Sequence, residues 1–117
     1  MKELGDLAFS CCETVQEVVL PDSIKIIGYD CFNHCTNLRK MDIPEGVTYL
    51  DSTFSGCKKL TSVSLPESLS RIGWETFEDC KSLKKITIPD HVMEIGKQAF
   101  SGCDNLREIQ LSKELKR

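Results

Sequence analysis

The chain has 117 residues, 40% of them hydrophobic and 28% charged, with a formal net charge of -3. This composition fits one folded domain rather than a disordered chain. The acidic balance argues against a nucleic-acid module, no apolar run reaches membrane-spanning length, and the mixed start Met1-Lys2-Glu3-Leu4-Gly5-Asp6 does not read as a signal peptide.

Taken in order, the chain repeats itself. It opens as Leu4-Gly5…Ala8-Phe9…Cys12…Val15, and the register returns as Ile27-Gly28…Phe32…Cys35…Leu38. It comes back shortened as Leu50…Phe54…Cys57…Leu60, then in full as Ile72-Gly73…Phe77…Cys80…Leu83 and Ile95-Gly96…Phe100…Cys103…Leu106. Phenylalanines at 9, 32, 54, 77 and 100 step by 23, 22, 23 and 23 residues, and the cysteines in this register keep the same steps. A fixed period in this range marks a stacked array and overrides any segment-by-segment reading.

Between these phrases lies a second one. It reads Val18-Val19-Leu20-Pro21, Met41-Asp42-Ile43-Pro44, Val63-Ser64-Leu65-Pro66, Ile86-Thr87-Ile88-Pro89 and Ile109-Gln110-Leu111-Ser112. Alternation with period two predicts a short strand with one buried face. Proline ends it, because it cannot donate the next ladder bond. An acidic turn former follows at Asp22, Glu45, Glu67 and Asp90. A second extended segment then buries Ile24 and Ile27, Val47 and Leu50, Leu69 and Ile72, Val92 and Ile95. The glycines after it are expected to bend the chain back in a conformation that disfavours a side chain. The stretch around each Phe is expected to be one helical or 3₁₀ turn, with Phe and the small residue (Ala8, Cys31, Thr53, Thr76, Ala99) inward. The third unit lacks one residue and its glycine, which predicts a local kink or tightened turn there.

These columns together resemble the BspA-like class of leucine-rich repeats. The resemblance runs from about Leu4 to Leu111 and implies a right-handed solenoid of about five 23-residue units. The whole chain, 1–117, then forms one domain, with units near 15–37, 38–59, 60–82 and 83–105 and partial units at 4–14 and 106–117. The resemblance implies a surface or secreted module that binds a host or other partner protein, and it carries no catalytic residues and no cofactor. A cytoplasmic scaffold or regulatory binder of the same fold is the alternative. Exposed end strands make end-to-end self-association a further expectation.

Several constellations bear on function. Outward positions of the first strand set Arg39, Lys40, Asp42, Ser64, Lys84, Lys85, Thr87 and Arg107 on one face, beside the acidic column, and are the expected protein-binding surface. The ordinary alternative is a solvated surface with turn-capping acids. Tyr29, Tyr49 and Trp74 are candidate aromatic anchors, unless their rings only cover the edge of the core. Of the seven cysteines, the five in one column (Cys12, Cys35, Cys57, Cys80 and Cys103) read as buried free thiols that act as small apolar groups. Cys11, Cys12, His34 and Cys35 fall on neighbouring turns, so a cysteine-based metal or redox protein is a third reading. Their spacing matches no zinc motif, and no metal ligand is assigned. No phosphate-cradling loop and no supported acid pair appears, which argues against an enzyme.

Overall fold

The computed structural model describes residues 3–110. Leu111, the Ser112 that replaces the last proline, and the polar tail from Lys113 to Arg117 lie outside the described residues. The two phrases of each unit become ten short strands: β1 (Glu3–Leu4), β2 (Glu17–Val18), β3 (Ile26–Ile27), β4 (Lys40–Asp42), β5 (Tyr49–Leu50), β6 (Ser62–Ser64), β7 (Arg71–Ile72), β8 (Lys85–Thr87), β9 (Glu94–Ile95) and β10 (Glu108–Gln110). All pairings are parallel, so the chain is a β-solenoid. The even strands form the first sheet, in the ladders β2-β4-β6 and β8-β10. The odd strands form the second, in the ladders β1-β3 and β5-β7-β9.

The register stacks each residue on its counterpart one turn away. Met41 pairs with Val18 and Val63, Ile86 with Ile109, and Ile72 with Leu50 and Ile95. Inward columns are therefore continuous. Phe32, Phe54 and Phe77 are fully buried, as are Leu38, Leu60 and Leu83 and the cysteines 35, 57 and 80. The five rings stack nearly parallel, with centroids 5.4–5.7 Å apart and interplanar angles of 1–13°. That separation exceeds ring contact distance, so the rings are offset, the arrangement their quadrupoles favour. The outermost members, Phe9 and Phe100, are only partly buried.

The stretch around each Phe is not helical. It is a chain of tight turns punctuated by left-handed residues: Leu7 and Cys11, Asp30 and His34, Ser52 and Gly56, Glu75 and Asp79, Gln98 and Gly102, all with φ between 50° and 78°. A left-handed residue every fourth position ends any 3₁₀ run. In the second turn Cys31, Asn33 and Cys35 donate backward within their own turn, to Gly28 O, Asp30 O and Phe32 O. The alternate amides of Asp30, Phe32 and His34 donate across to the next turn, to Asp51 O, Thr53 O and Ser55 O. Each segment thus pairs with its neighbour as a strand does while curling as a turn does. Residue type and spacing do not distinguish this from a helical turn; the sign of φ does.

The glycine column also has a different reason from the one expected. Gly28, Gly73 and Gly96 are not among the positive-φ residues. A Cβ at Gly96 would lie 2.7 Å from Trp74 N and 2.8 Å from Gly73 C. The column is kept small because backbones of adjacent turns approach there. Its amides donate to the previous turn: Gly28 to Leu4 O, Gly73 to Leu50 O and Gly96 to Ile72 O. In the third turn Asp51 occupies the column of Tyr29 and Trp74, so the missing residue is the glycine itself. The second-sheet ladder breaks at that point, between β3 and β5. The nearby Asp30 N–H to Asp51 O bond stretches to 3.4 Å, against 2.9–3.2 Å for its counterparts.

Two stability measurements check this description. Truncating Phe54 to Ala should cost roughly 3–5 kcal/mol in urea unfolding, as for a large buried side chain. At Gln98, with φ of 60°, Gln98→Val should cost about 1–2 kcal/mol, while Gln98→Gly should be neutral or stabilising. A helical turn would make glycine the worse substitution.

Candidate functional site

Stacking converts the outward residues of the first sheet into rows. The first row is Gln16, Arg39, Thr61, Lys84 and Arg107. Its backbone is tied by Arg39 N–H to Gln16 O (2.9 Å), Thr61 N–H to Arg39 O (3.0 Å) and Arg107 N–H to Lys84 O (2.9 Å). The second row carries Glu17, Lys40 and Ser62 in register, then Lys85 beside Glu108. The third places Asp42 against Ser64 and Thr87 against Gln110. All eight residues expected on this face are exposed on it.

The rows differ electrostatically. In the second, Lys40 neighbours Glu17, and Lys85 Nζ lies 3.9 Å from Glu108 Oε2. The exposed Lys85–Glu108 pair contributes little stability, while Lys40 and Glu17 are neighbours in register without an ion pair. The first row holds Arg39, Lys84 and Arg107 and no acid, so the expected basic stripe is this row alone. An open hollow of about 310 Å³ lies at the first-turn end of the sheet, between Val19, Asp22, Lys40, Asp42 and Pro44. Within the acidic column, the Glu45 carboxylate caps a turn by accepting the amides of Glu67 (2.9 Å) and Ser68 (3.3 Å). Lys25 Nζ donates to the carbonyls of Asp22 and Glu45.

The aromatic candidates lie elsewhere. Tyr49 belongs to the second sheet, with the Arg71 guanidinium 5.5 Å from its ring centre. Arg71 is also held by Asp51 at 2.6 Å. Tyr29 and Trp74 share a column with Asp51 between them and are about half exposed, at 45% and 49%. None of the three joins the first-sheet rows.

All seven cysteines are free thiols. Cys35, Cys57 and Cys80 are buried as expected and Cys12 and Cys103 partly so, yet the column is not merely apolar. Cys35 Sγ donates to Phe9 O (3.0 Å), Cys57 to Phe32 O (3.2 Å), Cys80 to Phe54 O (3.2 Å) and Cys103 to Phe77 O (3.0 Å). The same carbonyls accept the amide of the Cys in their own turn, for example Cys57 N–H to Phe54 O at 3.1 Å. One residue per turn thus links two turns through a single oxygen, a role that composition did not reveal. Burial pushes the Cys57 thiol up to about 12, and Cys80 is pushed up for the same reason. Cys31 rises to about 11, mainly through burial. Cys11 and His34 occupy the left-handed column shared with Gly56 and Asp79. No group of three or more His, Cys, Asp or Glu side chains able to hold a metal occurs among the described residues. No helix there is long and apolar enough to cross a membrane.

A parallel solenoid with one Leu, one Phe and one Cys column and freely varied outward rows is a repeat scaffold of the leucine-rich type. The chain belongs to the BspA-type leucine-rich repeat family, whose profile it matches in six copies over residues 2–117. A leucine-rich repeat protein from Bacteroides ovatus is 37% identical, with a TM-score of 0.93 over 98% of this chain and 30% of its own length. The leucine-rich repeat protein of T. pallidum is 30% identical, with a TM-score of 0.86 over 93% of this chain and 62% of its own. The chain therefore spans less than two thirds of either. The pneumococcal vaccine antigen PcpA is 27% identical, with a TM-score of 0.80 over 86% of this chain and 25% of its own. A comparison with curated proteins gave no match. The repeat fold is generally a protein–protein interaction module and not an enzyme fold.

The thiols give this fold a pH signature. Their ordinary value is 9.0, and folding raises it. An unfolded chain releases these protons first, so stability is fully present below pH 9 and falls as pH rises toward the folded values. Between pH 9 and 11 the unfolding free energy should drop by up to about 1.4 kcal/mol per pH unit for each deeply buried thiol. Cys57→Ala should flatten that slope. A thiol reagent at neutral pH should reach exposed Cys11 first and Cys57 and Cys80 only on unfolding.

Proposed function

We propose that the chain binds a protein partner through the outward face of the first sheet. The observation that carries this is the contrast between two sets of residues on the same short strands. Inward residues such as Met41 and Ile86 are buried in continuous columns. Outward residues Arg39, Lys40, Asp42, Ser64, Lys84, Lys85, Thr87 and Arg107 are exposed on a backbone fixed by inter-turn bonds. A face ordered in advance loses little entropy on binding. The row of Asp42, Ser64 and Thr87 offers hydrogen-bonding groups at its middle, and the unneutralised Arg39, Lys84 and Arg107 select an acidic partner surface.

The module acts at a cell surface, in adhesion or capture of a host protein. Support for this comes from its likeness to a leucine-rich cell surface protein of Faecalibacterium prausnitzii, 26% identical with a TM-score of 0.61 over 96% of this chain and 43% of that one, and to the pneumococcal antigen. End-to-end stacking of copies is the weaker part of this reading. With the columns continued, Glu94 would meet the next copy's Glu3, Asp104 its Glu13 and Glu108 its Glu17, and like charges at strand spacing repel.

The test is capture on the immobilised chain from serum and extracellular-matrix proteins, and separately from a cytosolic lysate. Matrix-specific capture that is lost in Asp42→Arg/Thr87→Arg, and reduced in Arg39→Glu/Lys85→Glu, is the expected result. Circular dichroism should show both variants folded. Capture from cytosol alone would replace the adhesion reading with an intracellular scaffold.

A further inference from the structure

One concentration of charge extends beyond that face. It lies where each turn leaves its cysteine and enters the first sheet. In the second turn, residues 36–40 contribute Arg39 and Lys40. In the third, residues 58–62 contribute Lys58 and Lys59. In the fourth, residues 81–85 contribute Lys81, Lys84 and Lys85. Together these stretches hold seven of the chain's 15 Lys and Arg residues and no acid, in a protein of net charge -3.

Stacking brings the three stretches side by side. Thr61 N–H donates to Arg39 O at 3.0 Å, which joins the second and third turns. Gly56 N–H donates to Glu78 O at 2.7 Å, which joins the third and fourth just before the lysines. At a strand spacing of about 4.8 Å, three turns span about 10 Å. All seven side chains are exposed. Lys81 bonds Asp104 at 3.1 Å and lies 4.0 Å from Asp79 of its own turn, and Lys85 is 3.9 Å from Glu108. Among the described residues the other five form no ion pair. The acids in these columns stand on the end turns, at Glu13, Glu17, Asp104 and Glu108, and bracket the patch. Charges on the remainder of the molecule are screened beyond about 8 Å at physiological ionic strength, so the net negative charge does not cancel this local field.

We propose that this corner binds a linear sulfated polysaccharide. Six of the seven bases needed for a multivalent contact are lysines, which act as compact point charges and meet sulfate without a planar, two-pronged geometry. Clusters of this kind are the footprint of heparin-like polymers and of nucleic acids. The structure favours the former, because Tyr29, Tyr49 and Trp74 lie in other columns and leave no stacking platform for bases. An acidic peptide finds no anchor here either. The apolar residues of the stretches, Leu38, Leu60 and Leu83, are fully buried. Lys58, Lys59 and Lys81 take no part in the protein-binding face, so the two readings fail separately.

Size-fractionated heparin, fully desulfated heparin and single-stranded DNA should each be titrated into the full chain by calorimetry. Heparin is expected to bind with an affinity that falls steeply with salt, as for any polyanion held by ion pairing, and desulfated heparin should not bind. Lys58→Ala/Lys59→Ala should weaken heparin at least tenfold, with circular dichroism and matrix-protein capture unchanged. The control Lys25→Ala/Lys97→Ala removes the same charge elsewhere and should stay within twofold of the parent. No heparin binding at physiological salt, equal binding of single-stranded DNA, or an equal loss in both variants would overturn the proposal.

Discussion

The fold depends on one constraint: alternate amides around each phenylalanine must reach the next turn. Phe32, Phe54 and Phe77 donate to Thr53, Thr76 and Ala99, with flanking bonds two residues to either side. These bonds hold the turns in register, and register is what stacks like on like. The continuous Phe column, the buried leucines and the thiol-to-carbonyl bridges all follow from it. Were one turn to slip by a residue, every inward side chain of that turn would leave the core. The cost of the constraint is a left-handed residue at each corner. Six of the seven non-glycine residues that carry it from Cys11 onward are polar, and Asn, Asp and similar short polar side chains tolerate that conformation better than branched ones.

The periodicity made most of this architecture legible. Columns at 23-residue spacing identified the inward residues, and alternation placed the first-sheet strands around Met41, Val63 and Ile86. What it could not show was backbone handedness. A Cys-Phe-Asn-His stretch reads the same as a helical turn or as two tight turns, because both bury the residue at the same position. The glycines were visible, but their reason was not. Gly96 is small to admit the backbone of Trp74, a contact across turns that no local pattern contains. The thiol bonds were hidden for the same reason, since Cys57 finds its acceptor 25 residues upstream at Phe32.

The third turn shows how the array accommodates an error of one residue. Losing the glycine removes one inter-turn amide, and the second sheet opens between β3 and β5. The break stays local because the Phe column is held by other bonds: Phe32 still donates to Thr53 at 3.0 Å and its ring still stacks on Phe54. Stability in such an array is a sum of turns and their interfaces. One weak interface therefore lies between the third and fourth turns, where the first sheet opens between β6 and β8; the other lies between the second and third turns. The latter lies beside the half-exposed Tyr29 and the Asp51–Arg71 pair, on the second sheet.

Function is harder to read than fold here because a solenoid writes its surface in two dimensions. Outward residues are free of the core's demands, so their columns vary without disturbing the turns beneath. The first-sheet rows could be anticipated, since each lies on a predicted strand. The basic corner could not, because it crosses from the turn after Cys57 to the strand beginning at Lys85 and gathers bases from three separate stretches, with Lys40 and Lys58 18 residues apart and Lys59 and Lys81 22. No stretch of 20 residues contains more than three of its seven charges. Stacking alone converts them into one patch, while the acids of the first and fifth turns confine it to the middle of the array. The same geometry lets two binding surfaces share one scaffold. Arg39, Lys40, Lys84 and Lys85 lie on both, with Asp42 and Thr87 on one side and Lys58 and Lys59 on the other, so the two ligands would compete for the shared bases or bridge across them.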